Sequence, residues 1–196
     1  MNPSAPPGKS ARYARPERER RFLAAGLPAG EVEKSAQIID RYLVGTRLRL
    51  RHMIETRATA TSTYYKLTQK VPAADGGPGL ISTTYLNLDE YHRLATLPAA
   101  VLSKTRYSVP PFGIDAYQAP LDGLFIAEVE FEDDAAMRAF NPPPWTIAEV
   151  TLDSRFTGGH FVTMRAEDLA GLLAAFGLNE TRCTPDTTLA VFNSPR

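Results

Sequence analysis

The sequence predicts a mainly β fold of the α+β class, an antiparallel barrel or sandwich with short helices outside it. Two observations lead to this prediction. Nine segments alternate between apolar and polar residues with the period of two that a strand imposes. Helical periodicity, in contrast, is confined to three short segments.

The candidate strands follow one another between residues 17 and 153. They are Glu17–Leu23, Ala36–Leu43, Thr46–Ile54, Thr63–Val71, Leu80–Leu86, Val101–Val109, Ile114–Tyr117, Leu124–Phe131 and Thr146–Asp153. A short last strand is predicted at Thr188–Phe192. The Pro- and Gly-rich stretches Pro72–Gly79, Pro110–Gly113 and Pro142–Pro144 are typical of loops within a single domain.

Three helices complete the prediction. Asn87 is a candidate N-cap for the first, because Glu90 stands three residues later, as in a capping box. Asp133–Phe140 is the second. Arg165–Phe176 is the third, with Gly177 at its C-terminal end.

Length and composition indicate one packed domain with short appendages. Of the 196 residues, 43% are apolar, which is enough for a hydrophobic core. We predict a flexible basic leader over residues 1–15, the domain over residues 16–178, and a C-terminal extension of the same domain over residues 179–196.

Charge and targeting signals exclude several classes of protein. The 22 basic and 22 acidic residues give no net charge, so no specific nucleic-acid partner is expected. No apolar run is long enough to cross a bilayer, and the N-terminus lacks the apolar segment of a signal peptide. The single Cys183 excludes an internal disulfide. We therefore expect a cytoplasmic protein without a membrane partner.

Charges of like sign gather on one face of individual strands. Residues at i, i+2 and i+4 of a strand share a face, so Arg47, Arg49 and Arg51 lie together in this pattern. The other charged faces are Glu17, Glu19 and Arg21; Lys66, Thr68 and Lys70; Lys104 and Arg106; Glu128, Glu130 and Glu132; and Glu149, Thr151 and Asp153.

These faces favour a charged ligand. A single amphipathic strand ordinarily turns its polar face to water, but like charges two residues apart repel each other. Clustered carboxylates suit a hard divalent cation such as Mg²⁺ or Mn²⁺. Clustered Arg and Lys suit phosphate oxygens. Both on one barrel predict a site for a complex of metal and polyphosphate.

The charged segments, taken in order, resemble the CYTH domains, also called triphosphate tunnel metalloenzymes. The family's N-terminal Glu-x-Glu-x-Lys signature is matched by Glu17-Arg18-Glu19-Arg20-Arg21, with Arg in place of Lys. The further matches are Arg41-Tyr42-Leu43, Arg47-Leu48-Arg49, Leu67-Thr68-Gln69-Lys70, Lys104-Thr105-Arg106-Tyr107, Asp115, Glu128-Val129-Glu130-Phe131, Trp145, Glu149-Val150-Thr151-Leu152-Asp153 and Arg155-Phe156. Each motif is short, and their order and spacing over residues 15–175 carry the resemblance. Ile81–Leu86 departs from it, because this strand has no charge where the family often carries Arg and Glu.

The resemblance implies an eight-stranded antiparallel barrel that forms a tunnel lined with charge. A triphosphate would lie along its basic wall, and acidic residues would hold one or two Mg²⁺ or Mn²⁺ ions. The implied metal ligands are Glu17, Glu19, Glu128, Glu130 and Asp153, with Glu149 as a further candidate. The implied phosphate contacts are Arg47, Arg49, Lys70, Lys104, Arg106 and Arg155, with Arg51 and Lys66 as further candidates. The implied catalytic residues are Glu17, Glu19, Arg21 and Lys70.

The expected function is that of a metal-dependent hydrolase that cleaves inorganic triphosphate or another small organic or nucleoside triphosphate. One alternative is an adenylyl cyclase of the CYTH type, although no adenine pocket is recognised in the sequence. The other is a non-catalytic polyphosphate-binding module. The uncharged Ile81–Leu86 strand favours this module, whereas the retained acids Glu17, Glu19, Glu128 and Glu130 disfavour it, since binding alone needs mainly the basic wall.

Overall fold

The computed structural model describes residues 14–30, 32–71 and 79–178. Within these ranges ten strands form one antiparallel sheet. In chain order the strands are β1 Arg15–Pro16, β2 Glu19–Ala24, β3 Lys34–Leu43, β4 Leu48–Arg57, β5 Ala60–Val71, β6 Leu80–Leu86, β7 Ala99–Val109, β8 Phe112–Tyr117, β9 Phe125–Glu130 and β10 Thr146–Glu149. The helices are α1 Leu88–Ala95, α2 Asp134–Ala139, α3 Gly158–Phe161 and α4 Ala166–Ala174, and a 3-10 turn at Ser154–Phe156 precedes α3.

Some predictions fall outside the described residues. They are most of the basic leader, the extension over residues 179–196 and its strand Thr188–Phe192. No helix in the described ranges combines the length and the apolar character needed to cross a bilayer.

The sheet differs from the eight-stranded closed barrel that was predicted. Its strand order is β1-β6-β5-β4-β3-β7-β8-β9-β2-β10, so it has ten strands, and its hydrogen bonds do not close it. The additional strands are the two short ones at its edges. β1 pairs with β6 over two residues, and β10 pairs with β2 over three.

The chain itself requires this sheet to curve. β1 and β2 stand eight places apart in the strand order, which in a flat sheet would separate them by about 38 Å. Only Glu17 and Arg18 connect them, and this link can span no more than about 11 Å. The Glu17 amide donates to the carbonyl of Gly79 beside β6, and the Phe131 amide beyond β9 donates to the carbonyl of Arg18, both at 2.9 Å. The sheet therefore wraps around an inner face, which we call the tunnel face.

Apolar side chains fill one part of the interior and cover part of the outside. On the tunnel face, Leu23 joins a buried cluster that includes Leu102, Tyr117 and two phenylalanines, Phe156 and Phe161, from the turn and from α3. On the opposite face, buried residues of β2, β8 and β9 pack against side chains at α2 and before β10. This outer cluster comprises Phe22, Phe112, Ile114, Ala127 and Val129, with Phe140 and Trp145 against it. The part of the tunnel face beyond Leu23 is left for charged residues.

The predicted helix starts are confirmed by their caps. Asn87 Oδ1 accepts from the Glu90 amide at 2.9 Å, and Glu90 Oε2 accepts from the Asn87 amide at 2.8 Å. Asp133 caps α2 through the Ala136 amide at 2.8 Å. The predicted strand Thr146–Asp153 ends early, at Glu149.

Candidate active site

The strand register places the predicted cations on one face. Residues directly opposite each other in an antiparallel pair share a face. Lys66 lies opposite Arg51, and Arg51 lies opposite Asp40. Farther round the sheet, Arg106 lies opposite Asp115. β3, β4, β5, β7 and β8 therefore contribute to a single basic wall on the tunnel face.

Asp115 organises the first half of this wall. Its side chain is fully buried, and Arg106 binds both oxygens, with Nε 2.6 Å from Oδ1 and Nη2 2.7 Å from Oδ2. Lys104 also donates to Oδ2, and Arg106 donates to Glu128. Burial alone would raise the pKa of Asp115, but Arg106 and Lys104 outweigh it and hold that pKa below its usual range.

Asp40 organises the second half. Arg51 binds it through two hydrogen bonds of 2.7 Å, from Nε to Oδ1 and from Nη2 to Oδ2. Arg49 Nε lies 3.7 Å from Oδ1, is buried and has no hydrogen-bond partner among the described residues. Burial favours the neutral form of Asp40, but the two guanidinium groups lower its pKa below the ordinary value. Asp40 thus neutralises part of the positive charge of Arg51 and Arg49 in the buried part of the basic wall.

The role of Asp40 was not predicted from the sequence. The available signal was an acid on an apolar strand face, since Asp40 shares its face with Ala36 and Ile38, which are buried. A carboxylate in that position needs a buried cation as partner.

An acidic cluster lies at the other end of the tunnel face. Lys70 donates to Glu17, and Arg21 Nε lies 3.7 Å from Glu19 Oε1. The pKa of Glu19 is raised to about 7, first by burial and then by the negative charges of Glu128 and Glu17. The positive charges of Lys70 and Arg21 lower this pKa but do not cancel the increase. These carboxylates are therefore close enough to repel one another, which is an electrostatic environment that favours a bound cation.

Glu130 lies at the rim of the acidic cluster. It is directly opposite Glu19 in the register of β2 and β9, but its side chain is 71% exposed, and its contact is Arg15 Nη2 at 3.8 Å. Glu17, Glu19 and Glu130 together line a cavity of about 50 Å³. The structure therefore brings all four predicted glutamates into one neighbourhood.

The set could hold a hard divalent cation. Its donors are carboxylate oxygens, the type that Mg²⁺ and Mn²⁺ prefer. Within the described segments, no three acidic or histidine side chains stand pre-arranged as a ligand set. Glu17 and Glu128 instead bind Lys70 and Arg106, the kind of cation that also binds phosphate oxygens.

Arg21 links the acidic cluster to the helical segment that follows β10. Its Nη1 donates to the Phe156 carbonyl at 2.5 Å, and its Nη2 donates to the Thr151 carbonyl at 2.6 Å. Its Nε is buried without a hydrogen-bond partner in the described part of the chain. Arg21 is therefore a fixed charge beside Glu19.

Other predicted residues lie apart from this neighbourhood. Asp153 caps the 3-10 turn and binds Arg155 at 2.6 Å, and Arg155 is half exposed against the rings of Phe156 and Phe176. Glu149 binds Arg20 at 2.6 and 2.9 Å. The described residues show no contact between these groups and the acidic cluster.

Arg47 also lies apart, because β4 begins at Leu48 and not at Thr46 as predicted. Arg47 is therefore exposed in the preceding turn. No acid in the described ranges forms an ion pair with it.

Comparison with models of known protein families gives no match. Among curated proteins, the chain is 34% identical over 149 residues to a protein named inorganic triphosphatase from Nitrosomonas europaea. The aligned region covers 71% of this chain and 92% of the relative.

Two solved structures share the fold, both with a TM-score of 0.50. The crystal structure of the inorganic triphosphatase NE1496 is 26% identical, over 76% of this chain and 95% of that one. The crystal structure of the hypothetical protein NE1496 is 27% identical, over 76% of this chain and 99% of that one.

The fold and the site are those of a mainly β protein whose curved antiparallel sheet carries cations and carboxylates on its inner face. With the relative's identity and coverage added, the chain belongs to the CYTH family of triphosphate tunnel metalloenzymes. The family resemblance carried by the sequence motifs is thereby confirmed.

Proposed function

We propose that the chain is a metal-dependent triphosphatase that hydrolyses inorganic triphosphate or another small triphosphate. The observation that carries this proposal is the continuity of the basic wall with the acidic cluster on one tunnel face. Arg106 belongs to both, since it binds Asp115 and Glu128. The name of the relative from Nitrosomonas europaea supports triphosphate as the substrate.

The basic wall supplies the phosphate contacts. Its members are Arg49, Arg51, Lys66, Lys70, Lys104 and Arg106. A guanidinium has five N–H donors, and Asp40 uses two of those on Arg51. The remaining donors can bind phosphate oxygens while Asp40 holds the group in place. Charge-assisted hydrogen bonds of this kind are worth more in a partly buried site than in water.

Glu17, Glu19 and Glu128 are the residues that would hold the cation, with Glu130 at the rim. When bound, a divalent cation neutralises phosphate charge and lowers the pKa of a bound water. Arg49 and Lys70 stabilise the negative charge on the reacting phosphoryl group, and an in-line water displaces the remaining diphosphate. Because a guanidinium cannot deprotonate, Arg21 acts as a fixed charge and not as a proton carrier.

The test is a phosphate-release screen over inorganic, nucleoside and other small triphosphates. Each is assayed with Mg²⁺, Mn²⁺ or Ca²⁺ and with a chelator as control, and cyclic AMP formation is measured in parallel. We expect release of phosphate from inorganic triphosphate that depends on the cation. Cyclic AMP from ATP would indicate a cyclase instead, and tight binding without turnover would indicate a binding module.

A further inference from the structure

The tunnel face of β6 differs in chemistry from the rest of the wall. Its residues are Ile81, Thr83 and Tyr85, which lie opposite Lys70, Thr68 and Lys66 of β5. The hydroxyls of Thr68 and Thr83 are 3.2 Å apart. One side of the tunnel therefore offers apolar, hydroxyl and aromatic groups where its neighbours offer charge.

Tyr85 is a large aromatic side chain with an open surface. It is 66% exposed, although it shares a face with the buried Arg51 through Lys66. Lys66 Nζ lies 4.9 Å from the centroid of the Tyr85 ring and 5.9 Å from that of Tyr64. The ammonium group thus covers part of Tyr85 and leaves a large part of the ring accessible.

A tyrosine of the neighbouring strand β5 shows how an aromatic ring packs against other rings in this sheet. Tyr65, on the outer face, stacks on His52 with centroids 5.0 Å apart and contacts Tyr91 of α1 at 4.8 Å. No ring of the described residues stacks on Tyr85 in this way. An exposed aromatic beside a cation is a platform on which a flat, polar ring can stack.

The position of Tyr85 relative to the phosphate-binding groups indicates which kind of ligand ring would stack on it. Lys66 of β5 lies directly opposite Tyr85 of β6, and Arg51 of β4 lies directly opposite Lys66. Lys70, which binds Glu17 of the acidic cluster, lies four residues farther along β5, about 13 Å from Lys66. A triphosphate with its terminal group at the acidic cluster and its chain along the wall would carry any organic substituent toward Tyr85.

We propose that Tyr85 and Lys66 form a stacking subsite for the base of a nucleoside triphosphate whose phosphates occupy the basic wall. This proposal rests on the proposed triphosphatase function and extends it to a class of substrate that inorganic triphosphate does not represent. The stacking surface is the exposed ring of Tyr85, and the ammonium of Lys66 attracts the phosphate nearest the nucleoside.

The test compares ATP with inorganic triphosphate as substrates of wild type and of three variants. In Tyr85→Ala the ratio of kcat/KM for ATP to kcat/KM for inorganic triphosphate should fall about tenfold, since a base–aromatic stack has roughly that worth. Tyr85→Phe, which keeps the ring, should retain the wild-type ratio. Val101→Ala, which removes an exposed side chain of β7, is the control and should also retain it.

A second measurement follows ATP binding without turnover. ATP should inhibit hydrolysis of inorganic triphosphate, and Tyr85→Ala should raise its inhibition constant by a similar factor. An equal loss on both substrates in Tyr85→Ala, or a wild-type enzyme that neither hydrolyses nor binds ATP, would overturn the subsite and leave the triphosphatase function intact. If neither inorganic triphosphate nor any other triphosphate of the screen is hydrolysed, the proposed function fails. A shift in melting temperature with ATP that depends on Tyr85 would then still support the subsite.

Discussion

Glu19 is an acid of the tunnel face whose neutral form is favoured in the folded chain. Its pKa of about 7 in the folded chain exceeds the ordinary value of 4.5, first because it is buried and then because Glu128 and Glu17 are near. A raised carboxyl pKa means that the folded state binds a proton more tightly than the unfolded state does. The associated stability is complete below pH 4.5 and is lost as the pH rises through 7.

We predict that Glu19→Gln removes this loss. In the absence of metal, the variant should match wild type near pH 4 and exceed it by about 3 kcal/mol at pH 8, the equivalent of the pKa shift. Urea unfolding at a series of pH values measures the difference. Glu132→Gln, an exposed acid beyond β9, is the control. A constant difference between Glu19→Gln and wild type across this range would contradict the assignment.

Arg49 tests the basic wall at the same scale. Its buried Nε has no hydrogen-bond partner in the described part of the chain, so a phosphate oxygen is the expected partner. Arg49→Ala should lower kcat/KM for inorganic triphosphate by an amount equivalent to about 2–4 kcal/mol. Arg57→Ala, at the exposed end of β4, should be nearly neutral. Similar steady-state kinetics for the two variants would rule out a phosphate contact at Arg49.

Much of the charged site could be predicted from alternation, because a strand fixes which side chains share a face. Alternation predicted in this way that Lys104 and Arg106 share one face of their strand. Their pairing with Asp115, and that of Arg51 with Asp40, could not be predicted. Each ion pair joins two neighbouring strands, and the sequence does not specify the register of those strands.

At the scale of elements, the contact between Tyr42 and Gly158 couples the helical segment to the basic wall. A Cβ placed on Gly158 at the start of α3 would lie 2.0 Å from Tyr42 Oη. Burial raises the pKa of Tyr42 to about 12, and the nearby Arg49 guanidinium acts in the opposite direction. The absence of a side chain at residue 158 thus allows α3 to pack directly against Tyr42, the neighbour of Arg49.

We predict that Gly158→Ala lowers the melting temperature and also raises KM for inorganic triphosphate, because the new methyl group displaces Tyr42. Gly159→Ala is the matched control. Its Cβ would meet no atom within 4 Å, and alanine is favoured over glycine in a helix by about 0.5–1 kcal/mol. Adding Tyr42→Phe to Gly158→Ala removes the nearest clashing atom and should restore part of the stability. Equal effects of the two glycine substitutions would refute the close packing.

The early end of β10 shows why element bounds were harder to predict than element types. The alternation continues through Glu149, Thr151 and Asp153, so the sequence predicted a strand to residue 153. In the structure the Thr151 hydroxyl accepts from the Arg21 amide at 3.0 Å, and Asp153 caps the following turn. The Val150 amide still donates to the Arg21 carbonyl at 2.8 Å. After Val150, side-chain groups replace the backbone ladder, and a period-two pattern does not reveal that.

For the whole molecule, the proposed binding of a triphosphate on the tunnel face should increase stability. Inorganic triphosphate should raise the melting temperature strongly, since a ligand at a hundred times its Kd adds about 2.7 kcal/mol. Monophosphate should raise it much less, because it reaches only part of the wall. Thermal unfolding with each ligand measures this, and equal shifts would exclude a site shaped for a chain of phosphates.

The short pairing of β1 with β6 has a consequence for how the molecule fluctuates. Two residues join these strands, fewer than at any other junction in the described sheet. Local opening costs least free energy where the fewest hydrogen bonds break, so β1 and β6 should separate more readily than the other paired strands. Glu17 and Lys70 face each other across the junction. An anion bound to Lys70 and a cation bound to Glu17 would bridge this junction, so that ligand binding would also hold the two strands together.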